Sequence, residues 1–331
     1  MVVRKYPADF GHTTVINNLC LGLKKLGYDV AIGAFSFYDD PPHSIQKVKL
    51  NKFDLLFSGI DKLEFDIIHT HQAFPNYFLF FRKSSKTVIF HYHGASNFIQ
   101  RINFKISMAL HKNRFSKIIS VSKSGITQMT KMIGSISAQV VYNGVDCIFY
   151  NPQLAKPYKK GTPQLLFVSG LRSYKRANFL INHIPELLDK FPNVHLQIVG
   201  TGEEFKNLKK LVQEKDLQKN VELTGKIPDD ELKLRYSSCD VYVSASTFEV
   251  CPVPTLEAMA CGKPLLLYDI EPHDEIVKIS HAGLIFYDDF VSKLSQVYID
   301  KDYYSKNALN FAKTIDWEII CKKTAKIYEE N

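Results

Sequence analysis

The feature that most constrains this chain is the kind of apolar run it repeats. Short stretches rich in Val, Ile and Phe are apolar at every position, not at alternate ones, and they recur between helical patterns. A strand that is apolar on both faces must be covered on both faces, which is the condition of a parallel sheet. In the first half the runs predict strands over 28–35, 66–71, 87–93, 117–121 and 138–142, after a very short one over 1–3. Helical patterns cover 13–26, 98–112 and 123–133. In the second half, strands over 165–168, 195–199, 221–223, 241–244, 265–268 and 284–286 alternate with helices. Strand–helix repetition builds βαβ units, and two such series predict an α/β chain of two doubly wound, Rossmann-like domains.

The boundary between the two series is marked by turn chemistry. Asn143-Gly144 is a turn signal, Asn151-Pro152 follows, and residues 156–163 are polar and rich in breakers. The linker is therefore placed near 150–163, with domains over 1–155 and 156–315. Residues 316–331 form a last helix whose apolar contacts come from Trp317, Ile319, Ile320, Ala325 and Tyr328. With 331 residues and 45% hydrophobic content, each half can bury its own core. That excludes a disordered chain, a collagen and a disulfide scaffold. No apolar run approaches a bilayer span, and the first residues lack the apolar core of a signal peptide, so a cytoplasmic protein is expected. The six cysteines are scattered without a Cys-x-x-Cys pair and read as reduced, small apolar residues.

Charge is uneven. Residues 1–155 carry 18 Lys and Arg against 9 Asp and Glu, whereas residues 156–331 carry 24 against 25. A basic first half suits an acidic partner: a phosphorylated substrate, an anionic membrane or a nucleic acid. The nucleic-acid reading lacks a recognised module and is set aside.

Open α/β sheets bind ligands at the carboxyl ends of their strands, and two domains can bring two such ends to face each other across a cleft. Polar residues just after strands are therefore the candidates. Glu249 and Glu257 lie after the 241–244 strand, with Pro252 and Pro254 between them. A helix starting near Pro254 would offer free N–H groups and its dipole to a phosphate. The plainer reading makes Glu257 a first-turn carboxylate answering the helix dipole and Glu249 a surface residue. The segment Ser169-Gly170-Leu171-Arg172-Ser173-Tyr174-Lys175-Arg176 follows another strand and places three cations where a diphosphate would sit. Gly200-Thr-Gly202 resembles part of a dinucleotide fingerprint, but Phe205 stands where its third glycine belongs, so a tight turn is expected.

In the first half, His69-Thr-His71 and His91-Tyr-His93 end neighbouring strands. Each pair shares one strand face, yet no nearby Cys or carboxylate completes a metal site. One histidine is expected to meet substrate and the others to be packed or solvated. Gly11, between the first strand and the first helix, would let backbone approach a phosphate, although an ordinary turn explains it as well.

Taken in this order, these features resemble the retaining nucleotide-sugar glycosyltransferases of family 4, which have the GT-B fold. The resemblance spans nearly the whole chain and is strongest over 167–286. Its most specific piece is Glu249 followed by Leu256-Glu257-Ala258-Met259-Ala260-Cys261-Gly262-Lys263-Pro264. Supporting pieces are Tyr174-Lys175-Arg176, Gly200-Thr-Gly202, Val221-Glu-Leu-Thr-Gly225 and Val141-Tyr-Asn143-Gly144-Val-Asp146. The Trp317 helix also matches, and in the family it crosses back onto the first domain.

The resemblance implies a hexose-type transfer from a nucleotide sugar to a hydroxyl of a glycan or lipid-linked acceptor, with retention of configuration. It implies that Lys175 binds the donor diphosphate with Arg172 nearby, that Glu249 contacts sugar hydroxyls, and that Glu257 holds the ribose. Backbone near Val253 and Pro254 would approach sugar and phosphate, and backbone near Lys226 and Ile227 would read the base. Gly11 would form the loop over the phosphates, and His93 would stand beside the sugar. The departing phosphate would take the acceptor's proton, so neither a protein nucleophile nor a metal or other cofactor is expected. The chain departs from the family at three places. Gly170 stands where an Arg is usual, Val250-Cys251-Pro252 replaces Gly-Phe-Gly, and His12 takes the place of a second glycine. These departures keep a non-catalytic sugar- or membrane-binding paralogue as an alternative, beside a nucleotide-sugar epimerase.

Residues 74–86 and 98–117 pair aromatics and aliphatics with cations. The second segment carries Phe98, Ile99, Ile102, Ile106 and Ala109 beside Arg101, Lys105 and Lys112. This suits a peripheral contact with the inner, anionic face of a membrane. The competing reading is a core of aromatics with solvated cations.

Overall fold

The computed structural model describes residues 1–8 and 12–330 and divides the chain into two compact units. The first unit holds residues up to 144 and those from 317 onward; the second is Val145–Asp316. In the first, strands β1 (Val2–Tyr6), β2 (Ala31–Phe37), β3 (Gln46–Lys49), β4 (Ile67–Thr70), β5 (Thr87–Tyr92), β6 (Lys117–Ser120) and β7 (Gln139–Val140) form one parallel sheet. Their order is β3-β2-β1-β4-β5-β6-β7, which reverses between β1 and β4. Val88, Ile89 and Phe90 are all buried although successive strand residues face opposite sides, as the continuous apolar runs require.

Helices α1 (His12–Lys25), α2 (Lys52–Ser58), α3 (Ala73–Leu79), α4 (Phe98–His111) and α5 (Lys123–Ile133) run between these strands. Three start at side-chain caps. Asn51 accepts from the Phe53 N–H, Asn97 from Gln100 and Ser122 from Gly125, each satisfying an orphan donor of the first turn.

In the second unit, β8 (Gln164–Val168), β9 (His195–Val199), β10 (Val221–Gly225), β11 (Val241–Ser244), β12 (Leu265–Tyr268) and β13 (Gly283–Phe286) form a parallel sheet ordered β10-β9-β8-β11-β12-β13. The order reverses between β8 and β11, and this is where a doubly wound sheet places its ligand. Its helices are α6 (Ala177–Asn182), α7 (Ile184–Lys190), α8 (Phe205–Glu214), α9 (Asp229–Ser238), α10 (Val253–Ala260), α11 (Glu271–Ser280), α12 (Phe290–Ile299) and α13 (Lys301–Thr314). The last helix, α14 (Trp317–Glu329), belongs with the first unit. The Trp317 ring lies against Gly144 so closely that a Cβ there would come within 2.5 Å of it.

The division falls at Gly144, not at 155, and at Trp317, not at 316. Backbone pairing explains both shifts. Val145 pairs with Asp316 and its N–H donates to the Ile315 carbonyl at 3.0 Å, while the Cys147 N–H donates to Asp316. Residues 145–147, ahead of the stretch read as linker, are therefore already part of the second unit's own fold.

Candidate functional site

The loops after β8 and β11 leave neighbouring strands at the reversal of the second sheet. They bring Lys175 and Glu249 together, with Nζ 2.5 Å from Oε1 and only 17% and 13% of the side chains exposed. Lys175 ends a single 3₁₀ turn, Ser173–Lys175, and its N–H donates to the Arg172 carbonyl. The turn is tied to the β11 loop by the Thr247 N–H, which donates to the Tyr174 carbonyl at 2.9 Å. Arg172 opens this turn and is half-buried. Arg176 behaves differently. It takes a left-handed conformation, and its guanidinium lies 4.7 Å from the Phe179 ring and 4.5 Å from the Tyr268 ring. Of the three cations read as a diphosphate cradle, this one instead anchors the turn by cation–π contact.

Glu249 is therefore not a surface residue, and Glu257 is not in a first turn. Glu257 is the fifth residue of α10, is buried, and accepts from the Tyr236 hydroxyl at 2.8 Å, with the Tyr150 hydroxyl as a second donor. Burial pushes its pKa up to about 7 against the opposing effect of those two hydrogen bonds. Val253 and Pro254 are the first two residues of α10, and Pro252 is its N-cap. Pro254 has no N–H, and the Thr255 N–H donates to the Pro252 carbonyl, which leaves Val253 to supply the first N–H. The helix N-terminus thus offers fewer donors than the sequence suggests.

Lys226 and Ile227 follow β10 at the same carboxyl-end edge, Lys226 exposed and Ile227 half-buried. The glycines after β9 have a definite cause. A Cβ on Gly200 would lie 1.9 Å from the Ser169 carbonyl oxygen, and one on Gly202 would lie 2.2 Å from that of Leu171. They let the β9 loop press against the β8 loop, joined by the Leu171 N–H to the Thr201 carbonyl, and so support the Lys175 turn from behind.

Sequence reasoning missed His273, in the first turn of α11. It is buried, its Nδ1 donates to the Tyr268 carbonyl at 2.8 Å, and both Glu249 and Lys175 act on its charge. Burial lowers its pKa, so the imidazole is neutral. It reads as an ordinary helix residue in the sequence, as does Tyr236, and Tyr150 reads as a residue of the stretch before the second sheet.

In the first unit, His93 follows β5 and is half-buried. Its Nε2 is 2.9 Å from Nδ1 of His71, and its ring packs on His91 and His12. Gly11 lies outside the described residues. Of the two alternatives for the other histidines, packed or solvated, the structure shows packed: His69, His71 and His91 are buried together.

The two aromatic–cationic segments separate. Pro75, Leu79 and Phe80 are buried and Phe74 and Phe78 pack against the core, so for 74–86 the core reading holds, with Phe81 left outside. On α4 the opposite is seen. Phe98 is 76% exposed and Ile99 70%, with Ile102, Ile106 and Leu110 also exposed, beside exposed Arg101 and Lys105. Among the described residues, no helix is long and apolar enough to cross a membrane.

Residues 153–312 match the family described as Glycosyl transferases group 1, and residues 11–148 match Glycosyltransferase Family 4. An uncharacterized glycosyltransferase of Methanocaldococcus jannaschii is 25% identical over 98% of this chain and 96% of its own length. Alpha-monoglucosyldiacylglycerol synthase of Streptococcus pneumoniae is 27% identical over 38% of this chain and 29% of its own. Among solved structures, Anabaena HepE in complex with UDP-glucose superposes with a TM-score of 0.76 at 20% identity, covering 95% of this chain and 96% of that one. At that identity the superposition shows a shared fold.

Proposed function

This chain is a glycosyltransferase of the group 1 type, and from that premise we propose that its second unit binds a uridine diphosphate hexose and transfers the sugar with retention to a hydroxyl of a lipid-linked or glycan acceptor. The observation that carries the reading is the Lys175–Glu249 pair at the strand-order reversal, with the buried Glu257 on α10 following it. Without donor, Glu249 holds Lys175 in place. With donor bound, Lys175 turns to the diphosphate and stabilises the charge that develops as the glycosidic bond breaks, while Glu249 accepts from sugar hydroxyls. Glu257 accepts from the ribose hydroxyls, the Val253 N–H meets the phosphate, and backbone at Lys226 and Ile227 faces the base. Arg172 adds a second cation to the diphosphate. The leaving phosphate takes the acceptor proton, so the transfer runs without a metal or other cofactor. The uridine choice follows HepE, which is solved with UDP-glucose.

The acceptor side is assigned to the first unit, with His93 toward the sugar and Gly11 toward the phosphates as the roles that the family resemblance implies. The exposed apolar stripe of α4, edged by Arg101 and Lys105, supports docking on an anionic membrane surface, where a lipid-linked acceptor would be collected. The test is thermal stability against a panel of UDP-, GDP- and ADP-hexoses, with Lys175→Ala beside the native chain. Ligand at a hundred times its dissociation constant adds about 2.7 kcal/mol. A shift with the UDP sugar that vanishes in Lys175→Ala, together with a product of unchanged anomeric configuration by NMR, is expected. A shift with no nucleotide overturns the donor site, and nucleotide binding without turnover on any hydroxyl acceptor points to the non-catalytic paralogue.

A further inference from the structure

The donor reading uses His93 alone among the histidines gathered where β4 and β5 end. His69 lies in β4 and His71 directly follows it, two residues on, and His91 comes from the adjacent strand. The His69 ring lies 4.5 Å from that of His71 and 5.3 Å from that of His91, and His71 lies 5.4 Å from His91. All three side chains are buried, and the ring nitrogens they offer lie within 4.8 Å of one another.

Their hydrogen bonds sort the nitrogens. His69 Nδ1 is 2.6 Å from the Tyr328 hydroxyl, and His71 Nδ1 is 2.9 Å from His93 Nε2. His71 Nε2 faces the Met1 thioether at 3.2 Å, a weak partner. Among the described residues, His69 Nε2 and both ring nitrogens of His91 have no hydrogen-bond partner. Native interiors seldom leave buried polar atoms so.

We infer that His69, His71 and His91 form a binding site for a divalent transition metal of the zinc class. Three imidazoles without a carboxylate suit zinc, copper or nickel and not calcium or magnesium. Zinc–nitrogen bonds of about 2.0–2.1 Å in a tetrahedral site place the ligating nitrogens about 3.3 Å apart. The trio therefore closes by up to about 1.5 Å on binding, through side-chain torsions. Tyr328 and His93 hold the two Nδ1 atoms and so turn the Nε2 atoms of His69 and His71 toward the ion, the outer-shell arrangement such ligands need. A cavity of about 290 Å³, bordered by Met1, Asp29, Asp66, His69 and Tyr328, gives an approach to His69. The ion clamps β4 to β5 and takes no part in sugar transfer.

The test uses untagged full-length protein, stripped with a chelator and reloaded with zinc or cobalt alone. One zinc per chain retained through gel filtration is expected, and cobalt should give the intense visible absorption of a tetrahedral site. His69→Asn combined with His91→Asn leaves one imidazole and should abolish zinc retention through gel filtration at an unchanged circular dichroism spectrum. Zinc retained far below one per chain, or retained equally by the double variant, overturns the site. The cobalt spectrum of the native chain depends on no variant folding, and a weakly absorbing octahedral spectrum overturns the site by itself.

Discussion

Replacing Glu257 by Gln should flatten the dependence of folding stability on pH. Glu257 is only 9% exposed, and burial raises its pKa from 4.5 to about 7. The folded chain then holds a proton that the unfolded chain releases between those values. The stability this proton contributes is fully present below pH 4.5 and is lost as pH rises through about 7. A difference of about 2.5 pKa units corresponds to about 3 kcal/mol, of which roughly 2 to 3 kcal/mol disappears between pH 5 and 8. Urea unfolding of both proteins across that range should show the loss in the native chain and not in Glu257→Gln. Donor binding should run the other way, because ribose hydroxyls donate to the ionised carboxylate. If only that form binds, the apparent affinity for UDP falls about tenfold from pH 8 to pH 6 in the native chain. An equal pH slope in both proteins would refute the assignment of the raised pKa to Glu257. A UDP affinity that is flat between pH 6 and 8 would refute its role at the ribose.

Gly170→Arg should restore the cation usual in the family. A Cβ there meets nothing within 4 Å, so folding should be unaffected, while UDP affinity by calorimetry should rise about tenfold from one charge-assisted hydrogen bond. Gly202→Ala should cost about 1–3 kcal/mol in denaturant melts, because its Cβ would drive into the Leu171 carbonyl, and UDP binding should weaken as the Lys175 turn shifts. Phe98→Ser with Ile99→Ser should change stability by less than about 0.5 kcal/mol per site, both side chains being exposed. The same pair should cut co-sedimentation with anionic vesicles roughly tenfold or more, and unchanged sedimentation would remove α4 as the docking face.

The parallel sheets were legible because their strands are buried on both faces, which leaves an unbroken apolar run in the sequence. Where that condition lapses, the reading fails. Strand β3, Gln46–Lys49, is an edge strand mostly exposed, with Val48 between two lysines, and gives no run to find. Helix α3 is seven residues long and carries Pro75 inside its first turn, where a missing N–H costs nothing, and it is absent from the sequence reading. The boundary was set eleven residues late because Asn151-Pro152 looks like linker, whereas the pairing of Val145 with Asp316 is a contact between residues far apart in the chain.

The candidate site divides along the same line. Lys175, Glu249 and Glu257 are singled out in the sequence because a doubly wound sheet confines its ligand to the ends of particular strands, and each follows one. Their partners could not. Tyr150 and Tyr236 reach Glu257, and His273 comes within electrostatic reach of the Lys175–Glu249 pair, through tertiary packing that no local pattern encodes. Local charge was also misassigned. Three cations in one turn suggested a diphosphate cradle, but Arg176 lies on the Phe179 and Tyr268 rings, and Gly170 leaves open the place where a further cation is usual. In the proposed site this leaves Lys175 and Arg172 for a donor, with Lys175 already paired with Glu249. On the proposed reading, donor binding exchanges one carboxylate partner of Lys175 for a diphosphate, so a stronger Lys175–Glu249 pair should mean weaker donor binding. Weakening that pair without removing either charge, as in Glu249→Asp, should tighten UDP binding while slowing transfer, because the shorter side chain releases Lys175 and withdraws from the sugar hydroxyls.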